Sequence, residues 1–155
     1  LDDTYKEYVF TFKNIHPATD QANFQFNLSI DAGSNYNVTK TTTYFSAYLN
    51  ENDSSGTLEY STSQDLAQAT GFQKLAGTVS VDNDHALSGY LHLFNPSSTT
   101  FVKHFIWSCN YGYETGTENP HGAGYFNTTS DIDAVRFQMT SDAIDAGDIC
   151  LYGIA

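Results

Sequence analysis

The sequence predicts an all-β protein, an antiparallel β-sandwich of eight or nine short strands that is jelly-roll-like. Apolar and polar residues alternate in several short runs, which is the period of a strand buried on one face. The 155 residues include 11 Tyr and 11 Phe, side chains that favour pleated, half-buried surfaces. The strand count exceeds the seven of a simple immunoglobulin domain. We expect one domain spanning residues 1–155.

The alternation is clearest near the N-terminus, in two runs joined by a turn at residues 16–20. In the first run, Tyr8, Phe10 and Phe12 share one side. In the second, one face carries Phe24, Phe26, Leu28 and Ile30, and the other carries Asn23, Gln25, Asn27 and Ser29. Proline in the connection disfavours helix before it. We expect the two runs to form a hairpin.

Further runs extend the pattern along the chain. The predicted strands are 38–49, 57–60, 78–81, 87–94, 101–111, 134–139 and 147–152. Because both faces of 101–111 are apolar, this strand is predicted to be central in its sheet. We expect one helical turn at 65–69. The Gly- and Tyr-rich segment 111–129 is predicted to be a long loop, with at most a short strand at 123–126.

Charge restricts the classes of partner. The chain has 18 acidic and 6 basic residues, giving a formal net charge of −12. Nucleic acid and anionic membrane surfaces both require clustered Lys and Arg, so neither is an expected partner. No apolar run approaches a membrane span, and no signal peptide is visible. Since the chain opens on Leu1, we expect a processed product or a fragment of a slightly longer chain.

No residue pattern demands catalysis, a metal or a cofactor, and we expect a non-enzymatic protein. Glu114 and Glu118 are the one carboxylate pair worth testing for acid–base chemistry. Five scattered histidines and the absence of a nucleophile elbow give no triad. The acidic turns at 50–53 and 82–84 lack the spacing of a calcium loop.

The two cysteines leave two interpretations open. Cys109 and Cys150 both fall in predicted strands. Free cysteine behaves as a small apolar residue, so both side chains are expected to be buried. A single bridge between neighbouring strands in an oxidising environment is the alternative.

Two surfaces are candidates for binding. The first is an aromatic group in and before the predicted loop: Trp107, Tyr111, Tyr113, Tyr125 and Phe126. Such rings beside Asn and Gly suit a sugar-binding face or a subunit contact, although Trp107 could equally belong to the core. The second is the uncharged polar strip formed by Asn23, Gln25, Asn27 and Ser29. It costs less to desolvate than charged groups and is a candidate subunit contact, or else ordinary solvent-facing sheet.

Three segments together resemble a widespread set of tailed-phage virion structural proteins. Residues 5–17 match the opening Y-x-x-Y-x-F-x-F-x-N-I-x-P of that family, and residues 89–96 match G-x-L-x-L-x-N-P. Residues 147–154 match the closing G-x-I-x-L-Y-G-I. The resemblance covers most of the chain in order and brings no catalytic residues with it. It implies a jelly-roll-like component of the virion surface: a capsid decoration, a fibre or a tail appendage.

The resemblance implies other virion proteins as partners and a homo-oligomer, with a trimer favoured. A carbohydrate-binding module that recognises host surface polysaccharide is the alternative. A depolymerase that uses Glu114 and Glu118 is a third hypothesis.

Overall fold

The computed structural model describes residues 1–155 and contains ten strands and no helix, hence none that could cross a bilayer. In chain order the strands are β1 (Glu7–Pro17), β2 (Ala22–Ser29), β3 (Lys40–Asn50), β4 (Gly56–Tyr60), β5 (Gln73–Val79), β6 (Leu87–Phe94), β7 (Lys103–Tyr113), β8 (Gly116–Phe126), β9 (Ala134–Met139) and β10 (Ile144–Ile154). They form a large sheet of seven strands, β10-β1-β6-β7-β8-β3-β4, and a small sheet of three, β5-β2-β9. Every pairing is antiparallel. The predicted antiparallel β-sandwich is confirmed, with ten strands instead of eight or nine.

The core consists largely of aromatic rings held between the two sheets. Phe137 of β9 lies 5.1 Å, centroid to centroid, from both Phe10 and Phe12 of β1. Phe26 of β2 contacts Phe105 of β7 at 5.2 Å, edge to face. Edge-to-face pairs of this kind stabilise a fold beyond the area that they bury. The alternating aromatic residues predicted for β1 and β2 therefore contribute the side chains of this core layer.

The predicted N-terminal hairpin is wrong. β1 pairs with β6 and β10, whereas β2 pairs with β5 and β9, so the two strands lie in different sheets. Their apolar faces meet across the core, where the Phe12 and Phe24 rings are 5.0 Å apart. Packing one face against the other buries both at once, which a hairpin within one sheet cannot do. Ile30 lies beyond the end of β2 and is 45% exposed.

The predicted loop at 111–129 is also wrong, because most of it is the eleven-residue strand β8. Its glycines provide space for neighbouring side chains. A Cβ on Gly122 would lie 2.3 Å from the Trp107 ring and 2.2 Å from the Thr43 carbonyl oxygen. Gly122 is therefore required by the indole on the adjacent strand. Residues 65–69 form no helix, and Ala69 instead bridges to Lys40.

The large sheet is wider than the small sheet that covers it. β4 is exposed at every residue, and β10 at every residue after Ile144. Both strands are edge strands of the large sheet. The inner face of the large sheet, which faces the small sheet, is thus covered at its centre and open at its two edges.

The aromatic layer gives a stability prediction. Phe26→Ala should lower the free energy of unfolding by about 3–5 kcal/mol, the usual cost of removing a fully buried ring. Phe101→Ala, at a ring that is 67% exposed, is the matched control and should change stability by no more than ~0.5 kcal/mol. Urea unfolding followed by tryptophan fluorescence measures both. Equal losses in the two variants would contradict a core centred on Phe26.

Candidate functional site

The predicted aromatic surface does not exist as a surface. Trp107, Tyr111 and Phe126 point into the core and are at most 2% exposed, so they cannot touch a sugar or a subunit in this fold. Tyr113 and Tyr125 are half-buried. The Tyr113 hydroxyl donates a hydrogen bond to Asn50 Oδ1 at 2.9 Å. The prediction grouped these rings because they lie in and just before one predicted loop. In the fold four of them lie on the inner face of β7 and β8, and Tyr125 lies on the outer face.

The predicted polar strip on β2 is likewise interrupted. Asn27 and Ser29 are fully buried. Asn27 Nδ2 donates hydrogen bonds to the carbonyl oxygens of Tyr36 and Thr70, at 2.6 and 3.0 Å. The segments around residues 36 and 70 therefore cover the end of the strand, and Asn27 holds them there. Asn23 and Gln25 remain partly exposed, but they do not form a continuous contact strip.

The two glutamates named as a catalytic pair lie in different surroundings. Glu114 is exposed in the turn between β7 and β8. Glu118 lies on the inner face of β8, where Ser46 Oγ donates to one carboxylate oxygen and the Tyr111 hydroxyl donates to the other at 2.5 Å. Burial, and then the hydrogen bond to Glu118, raise the pKa of Tyr111 far above its ordinary value. Both oxygens of Glu118 are thus engaged within the fold. No three His, Cys, Asp or Glu side chains converge as metal ligands.

The cysteines are separated by the fold. Cys109 is buried on β7 and Cys150 is exposed on β10, and both thiols are free. β6 and β1 lie between these strands, a separation of about 14 Å that no disulfide can span. Burial raises the pKa of the Cys109 thiol to about 12. The expected burial is therefore right for Cys109 and wrong for Cys150.

The surface that sequence analysis missed is the outer face of the large sheet, which points away from the small sheet. On β6, β7, β8, β3 and β4 this outer face carries no Asp, Glu, Lys or Arg. The register places the four charged residues of these strands on the inner side: Lys40, Glu59, Lys103 and Glu118. The large apolar side chains exposed on the outer face are Phe45, Leu49, Leu58, Tyr60, Tyr90 and Ile106. In a chain of net charge −12, a five-strand face without Asp, Glu, Lys or Arg is the clearest candidate for a binding surface.

A groove of about 700 Å³ runs across the middle of the outer face. One wall is formed by Phe45 and Leu58, and the other by Tyr90 and Ile106, with small residues of β8 between them. The Phe45 ring stacks on the His121 imidazole at 5.6 Å and 13°. Four polar side chains line the groove: Thr43, Ser108, Asn119 and His121. Among them, Asn119 Nδ2 donates a hydrogen bond to Ser108 Oγ at 3.1 Å. Apolar walls with a few polar groups are typical of a site that binds its ligand mainly by burying apolar surface.

The outer face could have been recognised from one signal. Strands buried on a single face should carry polar or charged residues at alternate positions, as β1 does with Lys13. β3 and β7 instead carry apolar residues on both faces, at Phe45 and Ile106. This pattern predicts a strand covered on both sides, and the fold covers these strands on only one.

Two buried lysines close one end of the inner face. Lys40 and Lys103 are fully buried and both pair with Phe126 in the sheet register. Lys40 Nζ donates to the Gly71 carbonyl oxygen at 2.5 Å, and Lys103 Nζ donates to those of Ser98 and Phe101. Burial lowers the pKa of Lys40 to about 7. The lysines therefore hold loop carbonyls over the end of the sandwich.

Lys40 gives a pH prediction. Between pH 7 and 10.5 the unfolded chain binds a proton at this amine and the folded chain does not, so the free energy of unfolding rises with pH across this window. The contribution is at most ~1.4 kcal/mol per pH unit. Lys40→Met should remove this part of the slope in urea unfolding at pH 7, 8.5 and 10. The exposed Lys6→Met variant controls for the loss of one charge. Identical pH slopes for the wild type and Lys40→Met would contradict the assignment.

Known proteins provide no template for the outer face. Searches with family models, against curated proteins and against solved structures find no match for this chain. Its function is therefore inferred from the chemistry of the surface and the resemblance of the three motif segments.

Proposed function

We propose that this chain is a non-enzymatic structural component of a tailed-phage virion and acts through protein–protein contacts on the particle surface. Capsid decoration, fibre and tail appendage are the forms that it could take. The observation that supports the proposal is the outer face of a strongly acidic chain, which exposes six large apolar side chains and carries no Asp, Glu, Lys or Arg. The motif segments at 5–17, 89–96 and 147–154 support the phage context.

The outer face has the physical properties of a protein interface. Its five strands, about 4.8 Å apart and about eight residues long at ~3.3 Å each, cover roughly 600 Å². Stable interfaces bury about 800 Å² per partner, so this face alone supplies about three quarters of that area. Covering it removes Phe45, Leu58 and Tyr90 from water and desolvates no Asp, Glu, Lys or Arg.

The charge distribution supports contacts with further copies and with other virion proteins. The carboxylates of the chain lie in turns, at strand ends or off this face. Electrostatic repulsion of a neighbouring acidic protein is therefore weakest where the outer face forms the contact. We propose a homo-oligomer, with a trimer favoured, attached to a capsid or tail protein. Nucleic acid and membrane are not proposed as partners.

Attachment can be measured with purified particles that lack this protein. Leu49 is 50% exposed on the outer face and lies outside the groove. Leu49→Asp places a charge on the face and should weaken co-sedimentation with the particles at least tenfold, a loss of about 1.4 kcal/mol. Phe101→Asp introduces the same charge at an exposed ring elsewhere and should bind as the wild type does. Absence of wild-type binding to head and tail alike would refute the proposal.

Recognition of host surface polysaccharide is the second candidate, and the groove is the observation that favours it. The exposed Phe45 and Tyr90 rings flank polar Ser108 and Asn119, an arrangement in which a sugar can stack and accept hydrogen bonds. Tyr90→Ala should abolish any binding seen on an array of host glycans, and Phe101→Ala should preserve it. Silence of the wild type across host sugars would remove this candidate.

A further inference from the structure

We propose that docking of a virion protein on the outer face depends on pH, and that His121 in the groove sets this dependence. The inference rests on the attachment proposed above and concerns the regulation of that same surface. Docking requires the uncharged imidazole of His121, so acidification weakens the attachment.

The outer face lacks Asp, Glu, Lys and Arg, but it carries three of the five histidines of the chain. The register places His92 opposite Ile106 and His121 opposite Ser108, and His104 precedes Ile106 by two positions on β7. Histidine is the side chain whose ordinary pKa lies between pH 5 and 8. Over that range the charge of this face therefore changes only through its histidines.

Two of these histidines lie outside the groove. His92 Nε2 is 2.9 Å from Glu7 Oε2 on β1, so a positive charge on this imidazole is balanced within the chain. His104 is exposed, and its ring centroid lies 6.1 Å from that of Tyr125. Neither imidazole lines the groove, so neither is enclosed when the groove is covered.

His121 lines the groove and is already partly buried in the uncovered protein. Its ring stacks on Phe45, and its Nδ1 lies 3.4 Å from the Asn119 carbonyl oxygen. The ion pairs of the other histidines with carboxylates do not extend to His121. Any partner that fills the groove therefore covers an imidazole that has no counter-ion in this chain.

The neighbouring strands supply no charge that would hold a proton on His121 in a covered groove. β7 presents Ser108 beside it, and β3 presents Phe45. Apart from the two histidines outside the groove, the titratable side chains of the face are tyrosines: Tyr60, Tyr90 and Tyr125. Tyrosine ordinarily titrates at about pH 10, so these groups stay neutral where histidine changes its charge.

The sign of the pH effect follows from desolvation. In the free protein a protonated His121 is in contact with water and stacks on the Phe45 ring, whose face attracts a cation. An apolar partner surface displaces this water and disfavours the charged form. Below the ordinary histidine pKa of about 6.5, docking therefore releases a proton, and the affinity falls as the pH falls, by at most ~10-fold per pH unit.

The inference is tested by co-sedimentation with particles that lack this protein, at pH 7.5 and at pH 5.0. The wild type should bind about tenfold or more weakly at pH 5.0. His121→Gln cannot take up a proton and should lose most of this ratio, whatever its affinity at pH 7.5. His121→Lys carries a permanent charge and should bind as weakly at pH 7.5 as at pH 5.0.

Two variants serve as matched controls. His104→Gln removes a histidine from the same face but outside the groove, and His16→Gln removes one that lies off the face, beside Asp145. Both should keep the wild-type ratio. Because the particles are the same in every mixture, pH effects on the particles are common to all variants. Circular dichroism should show the same strand content at both pH values.

Several results would overturn the inference. Wild-type affinity that is equal at the two pH values, or higher at pH 5.0, would refute it and leave the attachment standing. A wild-type ratio in His121→Gln, or its loss in His104→Gln alone, would equally refute the role of His121. Absence of binding at pH 7.5 would instead refute the attachment itself, and this inference with it.

Proton release provides a second readout that needs no variant. Mixing the wild type with particles at pH 6.0 in weak buffer should release protons in proportion to the amount of chain bound, as an indicator dye reports. Proton uptake, or binding without any release, would show that the docked state does not exclude the charged imidazole and would refute the inference.

Discussion

The structure depends on burying a layer of aromatic rings between two sheets of unequal width. Phe26 and Phe137, from the small sheet, supply rings that fill the space against the centre of the large sheet. Three strands at about 4.8 Å spacing cannot cover seven. The small sheet therefore covers only those strands of the large sheet that lie opposite its rings. The edge strands β4 and β10 of the large sheet lie beyond this covered region.

Burial between the two sheets also determines which polar side chains are occupied by contacts within the fold. Two charged side chains on the inner face are engaged by neighbouring groups: Glu118 by two hydroxyls, and Lys103 by loop carbonyls. Each stabilises a loop or a strand end and leaves little free capacity for a ligand. Binding capacity lies on the outer face, where apolar rings meet water and polar groups such as Asn119 are few. Of the two glutamates that the sequence singles out, Glu118 is held by hydrogen bonds within the fold, whereas Glu114 is exposed in a turn.

The fold class, most of the strand positions and the burial of Phe10 and Phe12 could be predicted because alternation is a local property. β5, at Gln73–Val79, lies mostly outside the strand predicted at 78–81. Alternation fixes which face a side chain occupies, but it does not identify the partner strand, and the predicted hairpin between β1 and β2 failed for that reason. The glycines of β8 were assigned to a loop because glycine is common in turns. Gly122 is needed instead for the Trp107 ring on a neighbouring strand, a requirement that no local window contains.

The candidate site was less predictable than the fold, because exposure depends on segments distant in sequence. Asn27 is buried by loops near residues 36 and 70. Ile106 is exposed because no third layer lies over the large sheet. Apolar residues on both faces of β7 indicated a central strand, which it is. The same pattern also placed apolar side chains on its second face, which no other part of the chain covers.

The buried lysines determine where this scaffold can be lengthened. Lys40 and Lys103 hold the loops at 69–72 and 98–101 by their carbonyl oxygens, so an insertion there would pull acceptors away from two buried amines. Residues 51–55, between β3 and β4, are exposed throughout and bond only within their own turn, to the neighbouring tip and to the Tyr48 hydroxyl on β3. Added peptides are therefore tolerated at that tip and not at the lysine-anchored end. Loop length can therefore vary at the end of the sandwich that carries residues 51–55. At the opposite end, loop length is fixed by the hydrogen bonds of the two buried lysines.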